Sequence, residues 1–580
     1  MSNPAPFEQL RTWETTLLSV LRVVRTLCQI LGFPIVLFAF GYESPPVLNE
    51  QTFALLLVIV VSLLTLIPLV RWYLLDQSIS QVGLTLLVSL ITIGGTAIFW
   101  VLGNDPQLYF WWYLAVLIHV LIGLLSLFRR VYFSGWSPAV IFVLSFLSLI
   151  FVGTALRLLP GKVTTPHEAL FTATSAVCVT GLTIKDTGTE WSREGQIIIL
   201  FLIQLGGLGL MTSGAAFALL VRRGLQLRER RVLSDLYERG TLHDLRRLVM
   251  VIIFFTLAVE AVGALLLSGL WSEKPLTEQI FYSAFHSVSA FCNAGFSLQP
   301  RSMSQYHTTW QVLGVMPALV ILGGLGFVVI YDIGQSVRFR WKPSEYSLFH
   351  EKGQRIRLSL TTKIVLWSTL FLLVVGTVGI FILELRNESY QGTGERIQGA
   401  WFHSMSSRTA GFNTQPIGSM SASTLFFILL LMGIGASPGS TGGGIKTVPI
   451  VISLLTLRAL MRGREKVEVS YRTVPPRIVY RALTIVVLGL LTMVLLTLIV
   501  VSIENRPDLF LKHMFEVGSA LATVGLSAVG TSSLQQESQM VLIVAMFIGR
   551  VGPLTLILSV AGNEKAVGAY SYPEERVLLG

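Results

Sequence analysis

The feature that most constrains this chain of 580 residues is a glycine motif that occurs four times at a nearly constant interval. In each copy the glycine precedes a large apolar residue and a small polar one, and an aromatic residue stands ten positions before it. The four glycines are 114, 116 and 114 residues apart. A repeat of about 115 residues is much longer than the units of soluble solenoids, so the period predicts four large units around one axis. The motifs are Gly181-Leu182-Thr183, Gly295-Phe296-Ser297, Gly411-Phe412-Asn413 and Gly525-Leu526-Ser527.

The composition places this axis in a membrane. Hydrophobic residues make up 53% of the chain and charged residues only 13%, whereas about a quarter of a soluble domain is charged. Of the 43 Lys and Arg residues, 22 fall in three connectors between apolar runs, at 222–247, 338–363 and 458–481. This is the positive-inside pattern, and it explains the net charge of +11 by contact with membrane lipid and without nucleic acid. We therefore expect a multi-pass protein of the plasma membrane.

Four apolar runs precede the first repeat, near residues 15–40, 52–75, 81–102 and 108–128. Each is long enough to cross about 30 Å of hydrocarbon. Arg129 and Arg130 place the connector after them in the cytoplasm, and four crossings before that point put the N-terminus there too. The pattern indicates no role for this N-terminal block.

Every repeat contains a segment that is too short to cross the membrane. The first repeat has an apolar span at 136–158, a half-length segment at 168–178, the glycine motif and a second span at 196–221. About 12 residues of helix extend less than 20 Å, so the segment must enter and return on the same side. Irregular backbone at membrane depth lines a cavity or is buried in protein. Four such loops around one axis therefore indicate an aqueous pathway, with its mouth on the side opposite the basic connectors.

The predicted fold is an all-α polytopic membrane protein. It has four tandem membrane-pore-membrane repeats with pseudo-fourfold symmetry, preceded by about four extra N-terminal transmembrane helices. The predicted domains are the N-terminal extension 1–135 and the pore repeats 136–222, 245–337, 360–462 and 477–580.

The four glycines predict a ring of backbone carbonyl groups. Glycine adopts backbone angles that a β-carbon penalises, so its carbonyl can point at a passing ion, and each short helix directs its negative C-terminal end to the same place. Such rings replace the hydration shell of the ion in potassium filters, although the geometry alone does not separate K⁺ from Na⁺. One such glycine is more often a helix cap, but four in register favour a filter. The expected residues are Val179, Thr180, Gly181, Asn293, Ala294, Gly295, Thr409, Ala410, Gly411, Thr523, Val524 and Gly525.

Three motifs carry a resemblance to a known family: Phe291-Cys-Asn-Ala-Gly295-Phe, Arg408-Thr-Ala-Gly411-Phe-Asn and Tyr572-Pro-Glu-Glu. From about residue 136 to 580 the chain resembles the Trk/Ktr/HKT superfamily of potassium transporters, and within it the bacterial Ktr/Trk-type pore-forming subunit. The resemblance implies four covalently joined membrane-pore-membrane units with a K⁺ filter at the four glycines. Some plant relatives that prefer Na⁺ carry serine at the first filter position, so Gly181 favours K⁺. The four extra N-terminal spans depart from the family pattern.

The resemblance also implies how such a protein works with others. It implies a homodimer and a cytoplasmic regulatory subunit that binds a nucleotide, ATP/ADP or NAD. K⁺ is the transported ion, Na⁺ is a candidate activating or coupling ion, and no covalent cofactor and no enzymatic activity are expected. Three alternatives stay open: the pore subunit of an ATP-driven cation pump, a Na⁺-selective or Na⁺-coupled transporter of the same family, and a non-transporting scaffold or sensor.

A glycine-rich stretch interrupts the apolar run of the third repeat. Residues 433–447 contain six glycines and a proline, which no straight helix accommodates. Gly439 to Thr447 nearly fits a phosphate-binding loop, but Ile445 separates the last glycine from the lysine, and no soluble strand precedes it. In the resembling family this segment is an intramembrane gate beneath the filter, and we expect few packed contacts to hold it. The gate residues are Gly435, Gly439, Gly442, Gly443, Gly444 and Lys446, together with Arg550.

Arg550 lies in the last apolar run. A central arginine costs about 2.5–3.5 kcal/mol on insertion scales, so it is expected to face a cavity or a partner. The resemblance places it beside the gate, where its charge would hinder a cation. Glu260 and Glu384 also lie in apolar runs, and either could form an ion pair with it; the sequence does not choose between them.

Overall fold

The structure, a computed structural model, is almost entirely helical over the residues that it describes. One two-residue β-hairpin, Glu468–Val469 with Arg472–Thr473, is the exception within that part. The described residues are 50–73, 79–101, 138–157, 165–220, 242–341, 358–387, 392–470 and 472–561, with isolated positions between 20 and 28 and between 112 and 119.

Within the described residues, the N-terminal extension contains the helices α1 (Glu50–Tyr73) and α2 (Ile79–Val101). They match the second and third predicted spans to within two residues. Leu57, Val60 and Leu64 of α1 form a small buried core with Val116. The spans predicted near 15–40 and 108–128 lie mostly outside the described residues, as does the tail motif at Tyr572.

Segment one, the name used here for residues 138–220, consists of α3 (Pro138–Arg157), the short helix α4 (Pro166–Val177) and α5 (Arg193–Leu220). Segment two (242–341) has the same order: α6 (Leu242–Leu267), the short helix α7 (Leu276–Phe291), then α8 (Met316–Leu325) and α9 (Phe327–Trp341). Both short helices end just before a glycine motif. The basic connector predicted at 222–247 lies mostly outside the described residues.

Segment three (360–461) contains α10 (Leu360–Leu383), the short helix α11 (Thr393–Ser406), α12 (Ala422–Gly433) and α13 (Thr447–Met461). Segment four (476–561) contains α14 (Pro476–Glu504), the short helix α15 (Phe510–Leu521), α16 (Gln536–Val551) and α17 (Pro553–Ala561). The domain boundaries predicted from the repeats stay predictions, because parts of the connectors lie outside the described residues.

In the later repeats the sequence also has apolar runs at 311–335 and 540–561, each of which predicts one span. Both runs are broken in the structure. The run 311–335 bends by 96° between α8 and α9, at Gly326, which has φ +85°. The run 540–561 breaks between α16 and α17 at Gly552, φ +89°, directly before Pro553. A left-handed glycine ends a helix, and proline does not supply the N–H that would continue it. Each of these runs therefore forms two helices and not the single helix that one span would need.

The outer surface of the helices is apolar, as a membrane requires. Phe151, Phe254 and Trp367 are each more than 70% exposed, and the helices that carry them are almost purely apolar in sequence. Among the described residues three helices are long and apolar enough to cross a membrane, or four if the bent pair is counted as one span. An exposed apolar belt of this kind indicates contact with lipid.

The core lies around the short helices. The aromatic residues Phe171, Phe285 and Phe515, ten positions before their glycines, are fully buried. In segment three the buried aromatic is Phe402, one position later than Trp401, whose indole donates to the Leu313 carbonyl oxygen at 3.0 Å. Each short helix therefore lies in the core, with its last turn next to a glycine motif.

Candidate ion-conduction site

The four motif glycines lie against one another in a closed ring. A β-carbon built on Gly181 would be 2.4 Å from the carbonyl oxygen of Ala294, one residue before Gly295. The same relation leads from Gly295 to Ala410 at 2.9 Å, from Gly411 to Val524 at 2.4 Å and from Gly525 back to Thr180 at 2.1 Å. No side chain other than hydrogen fits at these positions. The four backbones therefore approach too closely to leave room for a β-carbon, and the order around the ring follows the order in the sequence.

The backbone around each glycine has an unusual conformation that recurs in all four segments. The glycines have φ between +71° and +95°. Two residues earlier, a non-glycine residue also has positive φ: Val179, Asn293, Thr409 and Thr523, at +50° to +72°. Left-handed geometry is uncommon for non-glycine residues and unfavourable for β-branched ones, and such strain concentrates at functional sites. These four residues are among the expected filter residues, but their positive φ was not predicted, because no sequence pattern marks valine or threonine for it.

A serine in each short helix braces the chain that follows it. The Gly181 and Gly525 N–H groups donate to the hydroxyls of Ser175 and Ser519 at 3.1 and 3.0 Å. In segment two the Ser289 hydroxyl donates to the Phe296 carbonyl oxygen at 2.8 Å, and Ser406 does the same for Phe412 in segment three. Sequence reasoning missed these residues, although the signal was present: a serine recurs six residues before three of the glycines and five before the third.

Side chains one turn earlier hold the chain on the far side of the glycine. His286 Nε2 lies 3.1 Å from Ser297 Oγ and accepts from the Leu298 N–H at 3.3 Å. In segment four Glu516 takes this role, because its carboxylate accepts from the Ser527 hydroxyl and from the Ala528 and Val529 N–H groups. No group of three or more metal-ligating side chains occurs in the described part of the chain.

Near the first turns of two short helices, polar side chains pair outside the apolar spans. The Lys185 ammonium is 2.8 Å from the Glu168 carboxylate, and His307 is 3.2 Å from Glu395 in the next segment. Partial burial raises the pKa of the Glu168 carboxyl, but Lys185 and the hydrogen bonds with Thr165 outweigh it, so the pKa is lowered. Thr165 and Glu168 also form a capping box that fixes the start of α4.

The glycine-rich loop, residues 434–446, lies directly beneath the ring. A β-carbon on Gly442 would be 2.2 Å from Thr409 Oγ1, and one on Gly443 would be 2.1 Å from Thr523 Oγ1. The loop therefore touches two of the four strained residues, and the Lys446 ammonium donates to the Gly442 carbonyl oxygen within the same loop. All the gate residues that the sequence predicted except Arg550 lie in this one turn of chain.

Many hydrogen bonds hold the loop, so the expectation of few contacts is wrong. The Ser437 and Thr441 N–H groups donate to the carbonyl oxygens of Gly324 and Gly323 in α8, at 3.1 and 3.2 Å. The Thr441 hydroxyl donates to the Phe291 carbonyl oxygen, the last residue of α7, at 3.1 Å. The first two bonds form because the bend after α8 frees carbonyl groups that a straight helix would use internally, and the third uses a free carbonyl group at the end of α7.

Arg550 joins this loop to segment one. The side chain is 2% exposed, and its two terminal nitrogens donate to the carbonyl oxygens of Thr441 in the loop and Gly206 in α5. Neither predicted ion pair forms among the described residues. Glu260 instead accepts from Gln204, and Glu384 accepts from Asn387 and the Ser421 N–H. A planar guanidinium can bridge two carbonyl groups, and this is the contact that the sequence left open.

Comparison with known proteins places this geometry in a family. Residues 118–566 match the TrkH family of cation transport proteins. The chain belongs to the TrkH family. It is 35% identical to the Ktr system potassium uptake protein B of Bacillus subtilis strain 168, over 77% of this chain and 97% of that protein. It is 38% identical to the protein of the same name from Vibrio alginolyticus, over 77% and 96%.

A solved structure agrees with this membership. The potassium transporter TrkH from Vibrio parahaemolyticus superimposes with a TM-score of 0.59 at 20% identity, covering 81% of this chain and 96% of that one. The fold is therefore that of a helical membrane protein of the TrkH family, and the relatives are transporters rather than enzymes, which confirms the prediction that this chain is not an enzyme. The family match begins at residue 118, so most of the N-terminal extension lies outside it.

Proposed function

We propose that this chain is the ion-conducting subunit of a potassium uptake system in the plasma membrane. The observation that carries the proposal is the closed ring: a β-carbon built on each of the four glycines would lie within 3 Å of the carbonyl oxygen that precedes the glycine of the next segment. A ring of backbone oxygens at the ends of four short helices favours a dehydrated cation over an anion. Similarity to the potassium uptake proteins from Bacillus subtilis and Vibrio alginolyticus supports K⁺ as the transported ion. The match covers almost the whole length of both proteins.

The finer architecture belongs to the same proposal. Segments one to four would be four membrane-pore-membrane repeats around a pseudo-fourfold axis through the ring, with about four extra helices before them and a cytoplasmic N-terminus. The recurrence of helix, short helix, glycine loop and helix in each segment supports this reading. The twelve predicted filter residues, from Val179 to Gly525, would line the axis with their carbonyl groups.

We further propose that loop 434–446 is the gate and that Arg550 adds a positive charge to it. Contact of Gly442 and Gly443 with the residues beneath the ring supports a blocking position. The relatives are named as parts of a Ktr system, which supports a second, regulatory subunit. In this proposal that subunit is cytoplasmic and binds ATP/ADP or NAD, the transporter is a homodimer, and Na⁺ activates or couples transport without any covalent cofactor.

Growth at low K⁺ tests the proposed function. A bacterial strain that lacks its own potassium uptake systems is expected to grow at low K⁺ when it makes this chain, and not when it makes the Gly525→Val variant. Valine would place a branched side chain 2.1 Å from the Thr180 carbonyl oxygen. The amount of each protein in the membrane is measured in parallel. Absence of growth with the native chain present in the membrane would contradict the proposal.

The serine brace yields a prediction about the filter. Ser519→Ala removes the hydroxyl that accepts from the Gly525 N–H, and an unsatisfied buried N–H costs about 1–3 kcal/mol. We expect a lower K⁺/Na⁺ flux ratio and a lower melting temperature. The matched control is Ser502→Ala, whose exposed hydroxyl bonds only within its own helix. Equal flux ratios for the two variants would show that the hydroxyl does not hold the filter.

The gate yields a second prediction. Gly442→Ala would place a methyl group 2.2 Å from Thr409 Oγ1 and 2.6 Å from Ala436 Cβ, so the loop must move away from the ring. We expect K⁺ flux to rise several-fold in proteoliposomes without any partner. Gly433→Ala is the control, because a β-carbon there meets no atom within 4 Å. A Gly442→Ala variant that is folded and conducts at the native rate would remove the loop from the gate.

A further inference from the structure

Glu260 is a buried carboxyl that the proposed mechanism does not use. It lies in the apolar helix α6 with 6% of its surface exposed. The Gln204 amide on α5 donates to it at 3.1 Å, and the Cys292 thiol lies 3.5 Å from Gln204 Oε1 and 3.9 Å from Glu260 Oε1. Among the described residues its side-chain partners are these two, and neither is basic. We name Glu260, Gln204 and Cys292 the Glu260 cluster.

The cluster ends at the glycine loop of segment two. Cys292 is the C-cap of α7, and the next residue, Asn293, is the strained residue of that loop, with φ +59°. The Asn293 amide lies 3.2 Å from Thr409 Oγ1, the strained residue of segment three. Any displacement of Cys292 is therefore passed to two of the four strained residues beneath the ring.

The backbone carbonyl group of Glu260 accepts a hydrogen bond that does not require the carboxyl side chain. The Ser287 hydroxyl donates to the Glu260 carbonyl oxygen at 2.6 Å, and in segment three the Ser404 hydroxyl donates in the same way to Leu373 at 3.0 Å. Leu373 thus occupies the equivalent place with an apolar side chain. Burying a carboxyl at membrane depth is costly, so its presence in segment two calls for a role that leucine does not fill.

We propose that Glu260 is a positioning residue for ion selectivity. Its carboxyl fixes the orientation of Gln204, Gln204 fixes the Cys292 thiol, and the thiol sets the place of the segment-two glycine loop in the ring. This rests on the proposed function, because it presupposes a K⁺ filter at that ring. Selectivity depends on the number and geometry of the carbonyl oxygens that face the ion, so a small shift of one loop changes the preference between K⁺ and Na⁺.

The test compares K⁺ and Na⁺ flux through purified full-length variants in proteoliposomes. Glu260→Leu copies the residue of segment three and removes the acceptor. Glu260→Gln keeps an acceptor oxygen for Gln204. Cys292→Ala copies Ala522, which stands three residues before Gly525 as Cys292 stands before Gly295. We expect the K⁺/Na⁺ ratio to fall roughly three- to tenfold in the leucine and alanine variants, to stay near native in the glutamine variant, and to fall no further in the Glu260→Leu/Cys292→Ala double variant.

The possible results distinguish failure of the positioning role of Glu260 from failure of the proposed K⁺ filter. A native chain without any K⁺ preference contradicts the proposed filter, and with it this inference. If the native chain prefers K⁺ and Glu260→Leu has the same K⁺/Na⁺ flux ratio, the positioning role of Glu260 is contradicted and the proposed filter is not. Equal losses in the leucine and glutamine variants would also overturn it, because charge rather than the hydrogen bond would then matter. If Glu260→Leu does not insert stably, Cys292→Ala decides, since it removes only a thiol: an unchanged ratio there rejects the positioning role.

Discussion

Replacing Gly181 by serine is expected to reduce the preference for K⁺ over Na⁺ roughly tenfold. The new β-carbon would lie 2.4 Å from the Ala294 carbonyl oxygen, and Gly181 has φ +91°. A side chain in the left-handed region costs about 1–2 kcal/mol, and a shift of 1.4 kcal/mol changes an equilibrium tenfold. The strain is relieved most easily by moving the two loops apart. This widens the ring, so the carbonyl oxygens discriminate less between K⁺ and Na⁺. The flux ratio in proteoliposomes measures this.

The control for Gly181→Ser is Gly394→Ser in the first turn of α11. No atom lies within 4 Å of a β-carbon at Gly394, so this variant adds the same hydroxymethyl group near a short helix without touching the ring. It should keep the native ratio. If both variants keep the native ratio, and Gly181→Ser is folded, Gly181 does not belong to a filter.

Neutralising Arg550 is expected to speed K⁺ flux about tenfold. One unit charge acts on an ion passing at about 10 Å with about 1.7 kcal/mol when the effective dielectric constant is about 20. Arg550→Gln removes that charge and keeps one amide donor for the Thr441 or Gly206 carbonyl oxygen. Arg550→Lys keeps the charge but loses the planar fork that bridges the two. We therefore expect fast flux for glutamine and a near-native rate for lysine.

Thermal stability measured on the same preparations shows whether Arg550 is instead a structural bridge. In that case both variants lose one of the two bonds to the loop and to α5, and both melt at lower temperature without a gain in flux. A glutamine variant that is less stable than the native chain and no faster would contradict the gating role. Among the described residues Arg550 forms no ion pair with a carboxylate. A lower melting temperature of these variants would therefore not come from a carboxylate that has lost its charged partner.

Over the described residues, the apolar runs and the repeated motif were sufficient to predict the order of helix, short helix and glycine motif in each segment. Composition and period alone locate the short helix before each glycine, and the described helix ends differ from the predicted spans by a few residues. This succeeded because both signals are strong: apolar runs of about 20 residues, and a backbone geometry that only glycine tolerates at Gly181 and its three equivalents.

The breaks in the spans were not predicted, because hydropathy does not register a bend. Gly326 and Gly552 lie inside apolar runs, and the run keeps its composition on both sides of each. The signal was present as Gly-Gly-Leu-Gly326 and as Gly552-Pro553, which are both unfavourable in a straight helix. Once these helices break, their free carbonyl groups become partners for loop 434–446, which explains why the density of bonds to that loop was underestimated.

The partners of Arg550 lay beyond sequence reasoning for a different reason. The cost of burying a charge indicates that a partner exists, but a backbone carbonyl carries no residue identity that a sequence could reveal. Thr441 and Gly206 are 109 and 344 residues away, and only the folded chain brings them to the guanidinium. The positive φ of Val179, Asn293, Thr409 and Thr523 is a similar case, since it is visible only in the folded backbone.

The central claim is that this chain alone conducts K⁺ selectively through the ring of four glycines. The most direct test is ion flux in proteoliposomes of the purified chain, with K⁺ and Na⁺ gradients of equal size compared in the absence of ATP. We expect K⁺ flux that needs no ATP and clearly exceeds Na⁺ flux, and the Gly181→Ser variant should narrow the difference. Equal flux of the two ions, a preference for Na⁺, or flux that appears only with ATP would contradict it.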